Sequence, residues 1–331
     1  MVLLVPPALG GFLGAEAEVI DPAPVATPLP ADPALADSAP MGPWEIGGLA
    51  LHLAWALAAA LAIWRRGWMR ITPRGIARIS PTAESETPGA GTMLIAGGIA
   101  IYCAIIVGAA SAGAILGRGD AAAGITETDH SLWRSAWMLI GGYLGAACAL
   151  VFFLALVPGA PRLIGLPSRA AELLGGIRRG LAGIAVAYPI VWVAGWIITL
   201  LARAIAGDDA IETVAHETLR SMQAHPRDPA WWTTAALVTI GAPIVEEIVY
   251  RGFLQPGVRL LIDRPWLAVI LPSILFTFVH GEAVPWHALP VLFVLSLALG
   301  IARARTGSIV PSIVMHALFN AANIGLVMAG V

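Results

Sequence analysis

Eight apolar runs separated by short polar connections fill most of the chain beyond residue 46, and they constrain the fold more than any other feature. They lie near 46–64, 93–117, 135–158, 181–206, 231–250, 266–280, 286–302 and 308–330. A helix needs roughly 20 apolar residues to cross the hydrocarbon of a bilayer, and all but the sixth and seventh runs come close to that. Nearly all are apolar all round rather than along one stripe, which suits bilayer spans better than surface helices. The composition agrees: 58% of the residues are hydrophobic, 12% are charged, and the mean hydropathy is +0.81. A soluble domain is nearer half apolar and a quarter charged, so soluble globules and disordered chains are poor candidates. The net charge of -2 gives no electrostatic case for nucleic acid. The expected fold class is all-α: a polytopic transmembrane helical bundle of about eight spans, with a catalytic cavity in its C-terminal helices.

The arginines orient the chain. Every basic residue is an arginine, and 14 of the 19 fall on alternate connections. Arg65, Arg66, Arg70, Arg74 and Arg78 follow the first run, and Arg162, Arg169, Arg178 and Arg179 follow the third. Arg251, Arg259 and Arg264 follow the fifth, and Arg303 and Arg305 the seventh. The positive-inside rule places these in the cytoplasm and both termini outside. The expected setting is a multi-pass protein of a bacterial inner (plasma) membrane, with the bilayer as a partner. Residues 1–45 read as an acidic tail rich in Pro, Ala and Asp, extended and disordered, without a convincing signal peptide. Residues 46–180 read as an N-terminal region of about three spans with basic loops, and 181–331 as the catalytic core. Cys103 and Cys148 sit inside apolar runs and read as small buried residues. His52 reads as a packed histidine. The connection at 207–230 carries Glu212, His216, Glu217, Arg220 and His225; it reads as an amphipathic interfacial helix rather than a ligand set.

Ionisable groups within a span are costly unless paired or facing a polar site, so each is a functional candidate. The first four runs hold almost none, whereas the C-terminal third holds three clusters. Glu246 and Glu247 lie near the end of the fifth run, with Arg251 four residues beyond Glu247 and therefore on its helix face. Glu246 points about 100° away from that pair. His280 ends the sixth run, and His316 and Asn320 share a face of the last. No serine or cysteine has a nucleophile's setting, and no His-Glu-x-x-His helix occurs. The set suits water activation by a carboxylate and a histidine, with further donors for an oxyanion. A metal held by Glu246, His280 and His316, one oxygen and two nitrogens with an open position, would suit it too. Either chemistry is hydrolysis, with a peptide bond near the membrane as the expected target.

Glu246-Glu247-x-x-x-Arg251, Phe276-x-x-x-His280 and His316-x-x-x-Asn320, with Ala242-Pro243 before the glutamates and Gly252-Phe253-Leu254 after Arg251, resemble the CPBP family. That family groups the type II CAAX prenyl endopeptidases with bacteriocin-processing and self-immunity (Abi) proteins. The resemblance covers roughly residues 185–328. It implies an intramembrane endopeptidase in which Glu246 and His280 activate water. His316 and Asn320 would stabilise the oxyanion, and Glu247 and Arg251 would support the site. The family is often named a metalloprotease, and a metal-independent glutamate mechanism is also proposed for it, so the implied cofactor is one divalent metal such as zinc, or none. The implied partner is a membrane-associated peptide or protein, prenylated, otherwise lipidated or leader-bearing, and not nucleic acid. Two other readings use the same residues: an inactive membrane scaffold or self-immunity factor, and a proton- or ion-coupled transporter. A count along the runs sets His280 toward the opposite face from Glu246 and His316. A shared site therefore requires the sixth run to tilt or stop short, with Gly281, Pro285 and Trp286 bending inside the protein.

Overall fold

The computed structural model describes residues 43–65, 89–123, 131–157, 159–207, 218, 219, 222, 229–262 and 264–329, and every regular element among them is helical. The eight apolar runs become α1 (Pro43–Arg65), α2 (Ala90–Ala123), α3 (Ser131–Leu156), α5 (Ala170–Ala206), α6 (Pro229–Ile262), α7 (Pro265–Val279), α8 (Leu289–Thr306) and α9 (Val310–Ala329). A four-residue helix, α4 (Ala160–Leu163), precedes α5, and a 3-10 turn at Trp286–Ala288 leads into α8. Five of these stretches, in α2, α3, α5, α6 and α8, are long and apolar enough to cross a membrane. The apolar parts of α1, α7 and α9, at Ala50–Ile63, Pro265–Val279 and Val310–Leu326, are shorter. The chain is thus an all-helical integral membrane protein, with five spans supported by length where the sequence suggested about eight.

Glycine brings the helices together. In lipid no hydrophobic force pushes apolar helices toward each other, so close backbone approach and hydrogen bonds must do so. A Cβ on Gly108 would strike the carbonyl of Gly141, and one on Gly145 that of Ala104. The α2 and α3 backbones therefore touch. On α5, Gly176, Gly180 and Gly183 seat Val310, Val314 and Met315 of α9. Gly97 and Gly98 of α2 make room for Phe253 of α6. The largest core cluster joins Leu94 and Ile101 of α2 to Val249, Tyr250 and Phe253 of α6, Phe276 of α7 and Leu292 of α8. Helix α6 therefore stands at the centre of the bundle, with α9 also against it.

Two sequence expectations are corrected. Cys103 and Cys148 are exposed, not buried: an apolar run in a membrane protein turns one face to its neighbours and the other to lipid, so hydropathy alone does not report burial. Arg303, placed in the connection after the seventh run, instead lies within α8 and is 3% exposed, and it donates to backbone carbonyls of other elements. His52 packs as expected, stacked on Trp192 of α5 with ring centroids 4.2 Å apart. The acidic tail up to residue 42, the basic segment 66–88, and Glu212, His216, Glu217, Arg220 and His225 lie outside the described residues.

Candidate active site

Helix α6 is not regular. It widens to π geometry at Leu237–Gly241 and again at Ile248–Leu254, with Ala242–Glu247 in α geometry between them. Such π segments are uncommon and frequently mark functional sites. Each closes with a bond five residues back, from Ala242 N–H to Leu237 O and from Gln255 N–H to Tyr250 O. The next residue is a proline both times, Pro243 and Pro256, and proline has no N–H to continue the ladder. The carbonyls five residues before them, on Val238 and Arg251, are left for other donors. A buried carbonyl needs a partner, and the C-terminal helices supply both. Asn320 of α9 donates Nδ2–H to Val238 O at 2.9 Å, and Arg303 of α8 donates Nε–H to Arg251 O at 3.0 Å.

Between these two anchors lie the glutamates, both fully buried. Arg251 donates Nη1–H to Glu247 Oε1 at 2.8 Å, the i,i+4 pair expected from the spacing. Its Nη2 donates to Ser296 of α8 twice, at 2.7 Å to Oγ and 3.0 Å to the carbonyl. One turn further along both helices, Gln255 donates to Gly300 O at 2.8 Å. Arg303 also reaches Leu163 O of α4 at 3.1 Å. The guanidinium of Arg251 lies 4.9 Å from the centre of the Phe276 ring, a cation–π contact. Ser296, Gln255 and Arg303 were not recognisable as partners from sequence. Ser296 has no motif, and Arg303 looked like an ordinary basic loop residue.

His280 reaches this group because α7 stops inside the bundle. Its last turn tightens, with His280 N–H bonded to Thr277 O and Gly281 N–H to Phe278 O. The Phe276 carbonyl, which a continuing α-helix would bond to the His280 amide, instead accepts His280 Nδ1–H at 2.6 Å. The chain then bends through buried Ala283 and Val284 toward α8. The sixth run does stop short, but the bend is not enclosed at the residues expected: Gly281 and Trp286 are exposed and Pro285 is half-buried, and only Ala283 and Val284 turn inward. Phe276 also packs its ring on His280 and His316, with centroids 4.7 and 5.8 Å away. Its place in the Phe-x-x-x-His motif thus has two physical uses, a carbonyl and a wall.

Both histidine rings are held by Nδ1. A carbonyl can only accept, so His280 carries its proton on Nδ1. His316 Nδ1 lies 3.1 Å from Glu247 Oε1, the oxygen that also accepts from Arg251, and so it donates as well. The Nε2 atoms of both rings face Glu246: His280 Nε2 is 4.0 Å from Oε1 and His316 Nε2 is 3.7 Å from Oε2. All six residues singled out in the sequence, Glu246, Glu247, Arg251, His280, His316 and Asn320, are at most 1% exposed. The first five form a connected cluster; Asn320, one turn beyond His316, is anchored to the first π segment.

Two ligands at about 2.0–2.1 Å from one tetrahedral zinc stand roughly 3.3 Å apart. The observed 3.7 and 4.0 Å are longer, and among the described residues no group of three or more histidine, cysteine or carboxylate side chains is disposed to hold a metal ion. As placed, Glu246, His280 and His316 do not fit a directly bound zinc. A water molecule hydrogen-bonded to both partners at about 2.8 Å does span such gaps.

No curated protein and no solved structure matches the chain. The family model of the type II CAAX prenyl endopeptidase Rce1-like proteins matches residues 228–322, which include both π segments and all six residues of the site. That segment, α6 to most of α9, is similar to the Rce1-like domain, whose family is one of membrane proteases, and the match is consistent with the CPBP resemblance of its three motifs.

Proposed function

We propose that this protein is an intramembrane endopeptidase that hydrolyses a peptide bond of a membrane-anchored substrate with water activated by Glu246 and His280. One observation carries the reading: the Nε2 atoms of His280 and His316 both lie within 4.0 Å of the Glu246 carboxylate, and all three groups are buried. A water between them would give one hydrogen to the carboxylate and the other to a ring nitrogen. Glu246 takes one proton as the water oxygen attacks the substrate carbonyl carbon, and His280 Nε2 orients the same water by accepting its other hydrogen. The carbonyl oxygen becomes an oxyanion. His316 can donate to it when Nε2 is protonated, its positive charge balanced by the Glu247 carboxylate on Nδ1. Asn320 has a second Nδ2 hydrogen beyond the one given to Val238. When the C–N bond breaks, the proton held by Glu246 passes to the departing amine. Water is consumed, and one carboxylic acid and one amine result.

An apolar groove of about 310 Å³ between α2, α6 and α7 reaches Tyr250 and Val279, the residue before His280. It would seat the hydrocarbon of a lipidated substrate, which favours such a substrate over a bare leader peptide. The test compares wild type, Glu246→Gln and His280→Ala on prenylated, acylated and plain membrane peptides. Loss of a general base is expected to lower kcat by about 10²–10⁴-fold, with helical content unchanged and lipidated peptides preferred by the wild type. Equal cleavage by all three proteins would overturn the mechanism. Activity is expected to survive dialysis against a chelator; loss restored by zinc would replace this scheme with a metal-assisted one.

A further inference from the structure

A second groove lies between α1, α5, α8 and α9, and none of the six site residues lines it. Its volume is about 580 Å³, within the roughly 300–1,000 Å³ of sites that take a drug-sized ligand. Helices α5 and α8 run in opposite directions here. Gly195 of α5 abuts Val291 near the start of α8, while Gly176 and Gly180 abut Val310 and Val314, just past its end. The lining runs from Arg179 to Val191 on α5 and from Arg305 back to Val294 on α8. Twelve helical steps on α5 and eleven on α8 make the walls about 18 and 16 Å long. Arg179 and Arg305 therefore stand at one end and the rest of the wall is almost wholly apolar, with no carboxylate on it.

We propose that this groove binds one anionic phospholipid, with its phosphate between Arg179 and Arg305 and an acyl chain laid along Val186, Val294 and Ala298. Two guanidinium forks match phosphate oxygens, and an apolar wall of that length matches a hydrocarbon chain. A free phosphate would leave the wall uncovered. A peptide would bring backbone groups to a wall that offers them no partners. The site is separate from the hydrolytic cluster, so occupancy can be read without activity.

The test uses the purified full chain in detergent, with lipid retention followed by native mass spectrometry and binding by thermal unfolding. Phosphatidylglycerol, phosphatidylcholine and inorganic phosphate are the three probes. One phosphatidylglycerol per chain is expected to bind roughly 30-fold more tightly than phosphatidylcholine, the size of two arginine contacts with an anionic headgroup. Inorganic phosphate should give no shift. Arg179→Gln with Arg305→Gln should abolish the preference, whereas Arg178→Gln, on an exposed neighbour outside the groove, should keep it. Should the double variant fail to fold, Ala298→Phe decides: it fills the chain's path and leaves both arginines, so retention of both lipids should fall. Equal retention of the two lipids, an equal loss in Arg178→Gln, or full retention in Ala298→Phe would each overturn the proposal.

Discussion

Helices α2 and α3 pack backbone to backbone, whereas α6 and α8 meet chiefly through polar side chains, so the two pairs are held by opposite means. Between α2 and α3 the contact is backbone on backbone: Gly108 meets the Gly141 carbonyl and Gly145 meets that of Ala104. Between α6 and α8 the contact is a polar ladder with a four-residue step, Arg251 to Ser296 and Gln255 to Gly300, with Arg303 returning to the Arg251 carbonyl. Lipid offers helices two ways to associate, close packing of small residues or interhelical hydrogen bonds. This chain uses the first where it needs only a frame. It uses the second where a buried charge must be fixed in place, because a carboxylate such as Glu247 cannot sit in this interior without its partner.

The comparison breaks hardest at Arg251. Arg251→Met leaves Glu247 buried without its cation and also removes both bonds to Ser296. Loss of one partner of a buried pair costs about 3–5 kcal/mol, so a large fall in thermal stability is expected along with lost activity. Adding Glu247→Gln to Arg251→Met removes the stranded charge and should recover much of the stability but none of the activity. A double variant no more stable than Arg251→Met would show that the ladder, and not the charge, dominates.

The frame should fail more gently. Gly108→Val puts a branched side chain where the Gly141 carbonyl sits. Overpacking costs about 1–3 kcal/mol, read as lower thermal stability in detergent. Because α2 also packs on α6 at Phe253, kcat should fall by less than the loss expected for Glu246→Gln. A variant with wild-type stability would mean that the α2 and α3 backbones do not touch.

How far the sequence carried this picture follows from the same contrast. The helices were legible because apolar length reports them directly, and the six polar residues stood out because charge is scarce in a span. Their joint placement was legible from motif order even where the depth of His280 argued against it. The partners were hidden for physical reasons. Ser296 accepts from Arg251 through a hydroxyl and a carbonyl, and carbonyls belong to every residue alike. Arg303 carries the same letter as a loop arginine, and only packing separates the two. Cys103 and Cys148 were misplaced because in lipid an apolar residue is equally at home facing outward.

The finest distinction concerns Pro243, which had only a motif role in the sequence. If Pro243 matters because it has no N–H, then Pro243→Ala is not a neutral helix substitution. The new amide would compete for Val238 O and displace the Asn320 side chain from its 2.9 Å bond. Helix stability should not fall, since a ladder bond is gained and alanine is the better helix former. Activity should still drop, by about tenfold, the equivalent of roughly 1.4 kcal/mol in the barrier, because Asn320, the oxyanion donor of the proposed mechanism, no longer has a fixed position. The loss should appear in kcat with KM little changed, as befits a contact made only in the transition state. Asn320→Ala should lower kcat at least as far, and combining it with Pro243→Ala should add little, since the proline acts only through the asparagine. A stable Pro243→Ala enzyme with full kcat would leave the first π segment as packing, and the polar half of the molecule would then begin at Glu246.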